Sequence, residues 1–537
     1  MARVEPPYAS AEGLPPAGFS SALPHGVRRV VAVGGGRPGV GHSVLSVNLA
    51  VYLAQLGRKV VLVDADGASG SLHAMLGVEP AERIEPRDPF VDEALEPIPT
   101  AVPGLGLVPQ EYTQYSTVPL RPGRKPRWAK GLRLLDADYV ILDLGGGTAP
   151  ASLDLFLSAD FGLCPTAPDP PSVEASYNFL KALFQRQLRR YLLKDRYRMR
   201  QLERALGQLP PLPSPIDLVR TLAKYDAATA DAALSHLAAL RTFLVTNGTR
   251  LRQDVELGPT MADLSERYLG VRLEYMGHIE HDDAIWLSVV RRRPLLLDNP
   301  TSKSAKNLER IARRVVAVAT ARDALPRQDS EQNALDFKQE SETSLYDVLW
   351  THRGASDEEL RRAYKRQRDV FEPGSLPMSS LLRGDRLARD RARVEEAQET
   401  LLDPMRRRAY DLTFFASDPA SDHRRRPEAD GAILAERALL REELAHEIHP
   451  QTEFSGVLLR RVRESQGIEL EDIARRTKIA RIHLEAIEEE AFSKLPAEVY
   501  TRGFVTQIAR ILGLDATQAT RTYIRRYKAH HKAQRET

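Results

Sequence analysis

The ten residues Gly34 to Ser43, GGGRPGVGHS, carry the first recognisable chemistry in the chain. Gly36, four residues, Gly41, one residue and then Ser43 is the spacing of a G-x-x-x-x-G-K-[ST] loop. In such a loop the backbone N–H groups converge on phosphate oxygens, the lysine reaches the outer phosphates and the hydroxyl ligates Mg²⁺. Here His42 stands where the lysine belongs, while Ser43 keeps the hydroxyl. Imidazole is shorter than a lysine side chain and mostly neutral near pH 7. Losing one charged hydrogen bond costs about 1.5–3 kcal/mol, roughly ten- to a hundredfold in affinity. Gly36, Gly39, Gly41, His42 and Ser43 are therefore candidates for holding ATP or ADP with Mg²⁺, with the cation missing from the set.

Elements of the required kind surround the loop. The apolar run Val30 to Val33 precedes it and a helical pattern, Val44 to Leu56, follows. Further short apolar runs lie at 59–64, 139–144, 161–166, 243–248 and 273–279, with helical patterns between them, including Ser172 to Tyr191 and Lys306 to Thr320. Continuous apolar strands alternating with helices predict an α/β domain whose parallel sheet is covered on both faces. The boundaries fall at 28–321, with a charged helical insertion at about 192–240 that breaks at LPPLPSP.

A chain of 537 residues has room for three or more folding units. Residues 1–27 read as a disordered tail, without the basic start and apolar stretch of a signal peptide. Residues 322–342 read as a linker, 343–415 as a small all-α domain and 416–453 as a second linker with a helix at 431–447. A last all-α domain occupies 454–530, and 531–537 form a basic tail. The 76 basic residues nearly balance the 73 acidic ones, so whole-chain charge gives no pull toward nucleic acid. The single cysteine, Cys164, excludes an intramolecular disulfide, suits a reducing cytoplasm and reads as a small buried residue at a strand end. No apolar run approaches the length of a transmembrane helix, which together with the cysteine count places the chain in the cytoplasm.

The α/β domain resembles the MinD/ParA family of deviant P-loop ATPases, in its FlhG-like branch. The motifs are the loop, VVLVDADGASGSLHAMLG (60–77), DYVILDLGGGT (138–148), PTAPDPPSVEASYNFLKALF (165–184) and the stretch 268–300. The resemblance implies that Asp143 supports the metal held by Ser43, that Asp66 orients the attacking water and that Asn247 meets the adenine base. It also implies that Arg37 replaces a lysine that crosses a dimer to the partner's nucleotide, and that Pro38 removes one donor from the cradle.

SLYDVLW (344–350), ASDEELRRAYKRQRDVFEPGS and EEAQETLLDPMRRRAYD resemble a J domain. Glu372, Pro373 and Gly374 occupy the place of its HPD tripeptide, so stimulation of a DnaK-type chaperone is not expected. Residues 458–515 resemble the cytoplasmic helix-turn-helix domain of RodZ, with Leu470, Ile473, Ala474, Ile479, Leu484 and Ile487 spaced to form its core. Lys478, Arg481 and His483 are the candidate contacts to DNA or a partner there. From Lys478 to Glu490 two formal positives face four glutamates, which disfavours phosphate contact. Six basic residues from Arg521 to Arg535 form either a surface for nucleic acid or anionic lipid, or a solvated helix end.

Three functions stay open. The first is a bacterial cytoplasmic scaffold or regulator built on a degenerate nucleotide switch. It would organise protein partners in cell-surface, motility or division machinery, as a homodimer or a mixed dimer with an intact paralogue, with cytoskeletal or polar machinery among the partners. The second is a DNA-binding transcriptional regulator that uses the helix-turn-helix. The third is an active positioning ATPase.

Overall fold

The computed structural model describes residues 28–66, 70–79, 97–109, 132, 134–324, 343–378, 381, 382, 385–415, 440, 441, 444, 447–449 and 451–536. Residues 1–27, most of the linker 322–342 and most of the stretch 416–453 lie outside them. The chain divides into two compact units, Met1–Arg313 with Leu325–Glu428 and Arg314–Ala324 with Ala429–Thr537.

The first unit is built on an eight-stranded sheet: β1 (Arg29–Gly35), β2 (Val60–Asp64), β3 (Ile98–Pro99), β4 (Leu105–Val108), β5 (Tyr139–Gly146), β6 (Phe161–Thr166), β7 (Thr242–Thr249) and β8 (Leu273–Glu280). Their order is β3-β4-β2-β5-β1-β6-β7-β8. All pairs are parallel except β3 with β4, a short antiparallel edge that the apolar pattern does not announce. The central strands are buried along nearly their whole length, which is why they read as unbroken Val, Ile and Leu runs. β1 sits between β5 and β6, so the chain leaves it toward one edge through β2 and later fills the other through β6. The carboxyl end of such a strand is where an open α/β sheet leaves a crevice.

Helix α1 (His42–Gln55) follows β1 directly and is buried nearly all round. Helices α2 (Pro150–Phe156) and α3 (Pro170–Leu192) flank β6. Asp169 starts α3 by accepting a hydrogen bond from the Ser172 amide, and Pro170 fixes its first turn. The insertion is three helices, α4 (Arg196–Leu206), α5 (Pro215–Ala223) and α6 (Ala227–Ala238), the proline-rich break separating the first two. Helices α7 (Arg252–Leu264), α8 (Asp283–Val290) and the first part of α9 (Lys303–Ala324), up to Arg313, complete the domain, the rest of α9 falling in the second unit. Because α9 runs on to Ala324, the first residues assigned to the linker at 322–342 are helical.

The middle domain packs α10 (Leu345–Val348), α11 (Asp357–Val370), α12 (Asp385–Leu401) and α13 (Pro404–Phe414) around Leu349, Leu360, Phe371, Val394 and Leu401. Ser344 with Asp347, and Ser356 with Glu359, are reciprocal caps at the starts of α10 and α11. This domain is seated on the α/β domain. Leu264 and Tyr268 lie in its core cluster, the Tyr268 hydroxyl donates to Asp390 at 2.7 Å and the Tyr177 hydroxyl donates to the Pro377 carbonyl at 3.1 Å.

In the second unit, α14 (Gly456–Gln466), α15 (Leu470–Thr477), α16 (Arg481–Glu488), α17 (Glu498–Ile511) and α18 (Ala516–Glu536) enclose a core that includes Ile473, Ile479, Leu484 and Ile487, with Leu470 and Ala474 packed at its margin. The turn between α15 and α16 passes through Lys478 at φ 60°. Arg463 and Glu488, both about nine-tenths buried, form a two-bonded ion pair at 2.6 and 2.9 Å inside it. The tail expected at 531–537 is instead the end of α18, which runs to Glu536. Three of its cations are paired, Arg525 with Glu453, Arg526 with Glu490 and Lys528 with Glu498. No helix among the described residues is long and apolar enough to cross a membrane.

Candidate nucleotide site

The loop that leaves β1 turns through Gly39 at φ 84° and Gly41 at φ 96°, and Gly41 caps α1. Positive φ at Gly41 points the first amides of α1 toward the crevice, the arrangement that receives phosphate. A side chain at Gly41 would also collide with Asn247. Asn247 lies under the loop, its Nδ2 donating to the Val40 carbonyl at 2.8 Å. The structure therefore gives this residue a definite role in holding the loop, in addition to the adenine contact expected of it. Gly36 is pressed against α3, where a β-carbon would overlap the Ala175 carbonyl.

His42 is 4% exposed, folded back beneath the loop. Its Nε2 would lie 2.9 Å from a β-carbon at Gly35 and has no hydrogen-bond partner. Burial pushes its pKa down to about 4, against the pull of Asp66, so the ring is neutral at physiological pH. Arg37, the other basic group of the loop, is bound within the chain: Nη1 donates to Asp169 at 2.9 Å and to the Ser172 hydroxyl at 3.3 Å.

Acidic groups gather at the strand ends beside the loop. Asp143 lies within the buried part of β5, and neither of its carboxylate oxygens has a hydrogen bond of ordinary geometry. Burial raises its pKa to about 6, reinforced by the charge on Asp66 and opposed by the nearby hydroxyls of Ser43 and Ser46. Asp64 pairs with Asp143 in the β2–β5 register and accepts from the Leu72 amide at 3.2 Å. Burial raises it to about 7, with Asp143 adding to the rise and the Leu72 amide opposing it. Asp66 is 8% exposed and lies against Gly145.

The residues fit a magnesium nucleotide in part. Ser43 and the orphaned Asp143 carboxylate are hard oxygen donors that leave the other metal positions to phosphate and water, as Mg²⁺ prefers. The amide cradle suits phosphate. The cation that should meet the outer phosphates does not fit, because the group in its place is neutral and turned under the loop.

Two contributors escaped the motif reading. Gly145–Gly147 form the opposite wall: Gly146 abuts the Arg37–Pro38 peptide and the Gly147 amide donates to the Gly35 carbonyl at 2.7 Å. The run LDLGGGT was visible, but three consecutive glycines do not reveal which backbone they approach. Asp64 was hidden because an aspartate ending a strand is common.

In the second unit the three candidate contacts separate. Lys478 is exposed at the turn. Arg481 is held by Glu485 at 2.7 Å and by Glu471. His483 stacks on Phe504 with ring centroids 5.7 Å apart.

Comparison with known proteins supports both units. Residues 26–161 match a family described as NUBPL iron-transfer P-loop NTPase (ParA), and residues 458–519 match a helix-turn-helix domain family. The chain is similar to the antiactivator FleN of Pseudomonas aeruginosa, 24% identical over 293 residues, covering 53% of this chain and 86% of FleN. It is 26% identical over 167 residues to the flagellum site-determining protein YlxH of Helicobacter pylori, covering 29% and 54%. An iron-sulfur cluster carrier protein of Aquifex aeolicus is 33% identical over 137 residues, covering 24% of this chain and 36% of the carrier.

Proposed function

We propose that this chain, which carries a ParA/MinD-like P-loop NTPase domain and a C-terminal helix-turn-helix domain, is a regulator that positions or restrains motility machinery through protein contacts, with little or no ATP hydrolysis. The observation that carries the reading is His42: a neutral, buried imidazole, its Nε2 without a hydrogen-bond partner, occupies the place of the phosphate-binding lysine. The names of FleN and YlxH supply the flagellar direction.

When bound, Mg²⁺ would draw charge from the phosphates. The chain's own groups would do the rest: loop amides would orient the phosphates, Ser43 and Asp143 would hold the metal, and Asp66, buried beside them, would orient a water. Nothing in this set replaces the lysine's charge, so affinity and turnover fall together. Iron–sulfur transfer is not part of the proposal, since cluster ligation draws on several thiolates and Cys164 is alone and buried.

The test is equilibrium binding of ATP and ADP, with Mg²⁺, to the full chain and to His42→Lys. The variant should bind at least roughly tenfold more tightly. Native hydrolysis that His42→Lys leaves unchanged would instead favour the active ATPase. The helix-turn-helix keeps a DNA-binding reading in play, but Arg481 is neutralised by two glutamates. Salt-dependent retention of a defined DNA fragment by the full chain, lost in Lys478→Ala, would support it.

A further inference from the structure

The helical insertion buries one side of its helices and leaves open the corner where α3 turns into α4. Leu202, Ala205, Leu218, Leu222 and Leu237 join the core of the α/β domain. Tyr191, Leu193 and Tyr197 stay outside it, at 47%, 65% and 55% exposure. The Tyr191 ring lies against His236 of α6, with centroids 4.3 Å apart. Beside it is a shallow hollow of about 520 Å³ lined by Tyr191, Leu192, Lys194, Asp195, Arg196 and Arg198. Large apolar groups kept in water around a hollow mark a surface that something else covers.

Charge decides what that covering group carries. Residues 186–200 hold seven cations and one acid, Asp195. Asp154 and Glu203 pair with arginines of the same corner, which still leaves an excess of four positive charges. All three acids are engaged: Asp154 by Arg186 at 2.6 Å and Arg190 at 3.5 Å, Glu203 by Arg189 at 2.6 Å and Asp195 by Arg198 at 3.5 Å. Lys194 and Arg196 are exposed on the lining of the hollow, and neither has an ion-pair partner among the described residues. A second copy meeting this corner across a two-fold axis would set the same positive excess against itself in any orientation. A nucleic-acid backbone is tracked by a row of uncommitted cations. Here four of the seven already hold carboxylates, and the exposed Leu193 is aliphatic.

We propose that the corner between α3 and α4 docks an acidic segment of a partner protein, one that carries apolar side chains among its carboxylates. Lys194 and Arg196 meet the carboxylates, and Tyr191, Leu193 and Tyr197 take the apolar side chains. Tyrosine suits such a place, because its ring offers apolar area and its hydroxyl a hydrogen bond at little entropic cost. Tyr191 lies at the far end of α3 from the nucleotide loop, about 30 Å along the helix, so docking there leaves the loop accessible. The surface is therefore independent of whether the loop holds a nucleotide.

The test is fluorescence anisotropy, at low salt, of the full chain with a labelled peptide of about twelve residues in which leucine and phenylalanine are interspersed among glutamates. The same peptide with glutamine for glutamate, and an oligothymidylate of similar charge, are run alongside. Two variants are compared with the native chain, Lys194→Glu with Arg196→Glu and Leu193→Ser with Tyr197→Ser. All four side chains are exposed, so both variants should fold, which circular dichroism checks. The native chain should bind the glutamate peptide, and either double variant or the glutamine peptide should weaken binding at least roughly tenfold. Absence of binding, or equal binding by the native chain and either variant, would overturn the proposal. Tighter binding of the oligothymidylate, lost in Lys194→Glu with Arg196→Glu, would also overturn it and make the corner a nucleic-acid surface. So would a lower solution mass for Leu193→Ser with Tyr197→Ser, which would show that copies of this chain cover the corner.

Discussion

Asp64 and Asp143 face one another across β2 and β5, both out of water, so ionising one makes ionising the other harder. Their folded pKa values, about 7 and about 6, lie above the ordinary aspartate value. A group whose folded pKa is raised favours the fold while it is protonated. That contribution is complete below about pH 4 and is lost as pH rises through 6 to 7. The nucleotide-free chain should therefore be less resistant to urea at pH 8 than at pH 5.5. Asp64→Asn keeps an oxygen for the Leu72 amide and removes the buried charge. It should stabilise the chain by roughly 2–4 kcal/mol at pH 8 and by about half as much at pH 5.5. An equal effect at both values would mean that the carboxylate is not the source. Arg37 offers a contrast, because its ion pair with Asp169 is exposed on both sides, 46% and 42%. Asp169→Asn, which keeps the cap of α3, should change stability by less than about 1 kcal/mol in thermal unfolding.

Helix α3 meets the loop at one end, through Asp169 and Ala175, and meets the middle domain through Tyr177. α7 and the turn after it reach the same domain through Leu264 and Tyr268. The middle domain thus rests on two helices of the α/β domain, and the Tyr268–Asp390 bond is its most specific polar anchor. Tyr268→Phe should cost about 1–2 kcal/mol by leaving Asp390 without its donor. Amide exchange should rise across residues 343–415 while the strands stay protected; unchanged exchange there would show that the anchor is dispensable. This docking could not be read from the sequence. The strands could be, since burial on both faces writes itself as Val, Ile and Leu runs, and so could the loop, whose chemistry demands fixed spacing. Tyr177 and Tyr268 look like any core tyrosine, and their partners lie 200 and 122 residues away. The fate of His42 was legible only halfway: its identity announced a missing charge, while its fold beneath Gly35 needed coordinates.

Across the whole chain, the two compact units rest on separate cores, each with its own sensitive point. In the first, the α/β and middle domains share buried side chains, so they should unfold together. In the second, Arg463 and Glu488 are buried as a pair, and removing one partner leaves the other charge stranded. Such losses cost about 3–5 kcal/mol, whereas replacing a pair by apolar groups can be neutral. Scanning calorimetry should therefore resolve two transitions. Tyr268→Ala, which opens a gap between α/β and middle domains, should lower only the transition of the first unit. Arg463→Ala should lower only the other, by several degrees or more at roughly 4–8 °C per kcal/mol for a domain of that size. Arg463→Met with Glu488→Leu should restore much of the loss if the stranded charge is its cause. One merged transition, shifted alike by both single variants, would mean that the units fold as one cooperative body, and that changes at the nucleotide loop reach the helix-turn-helix through folding itself.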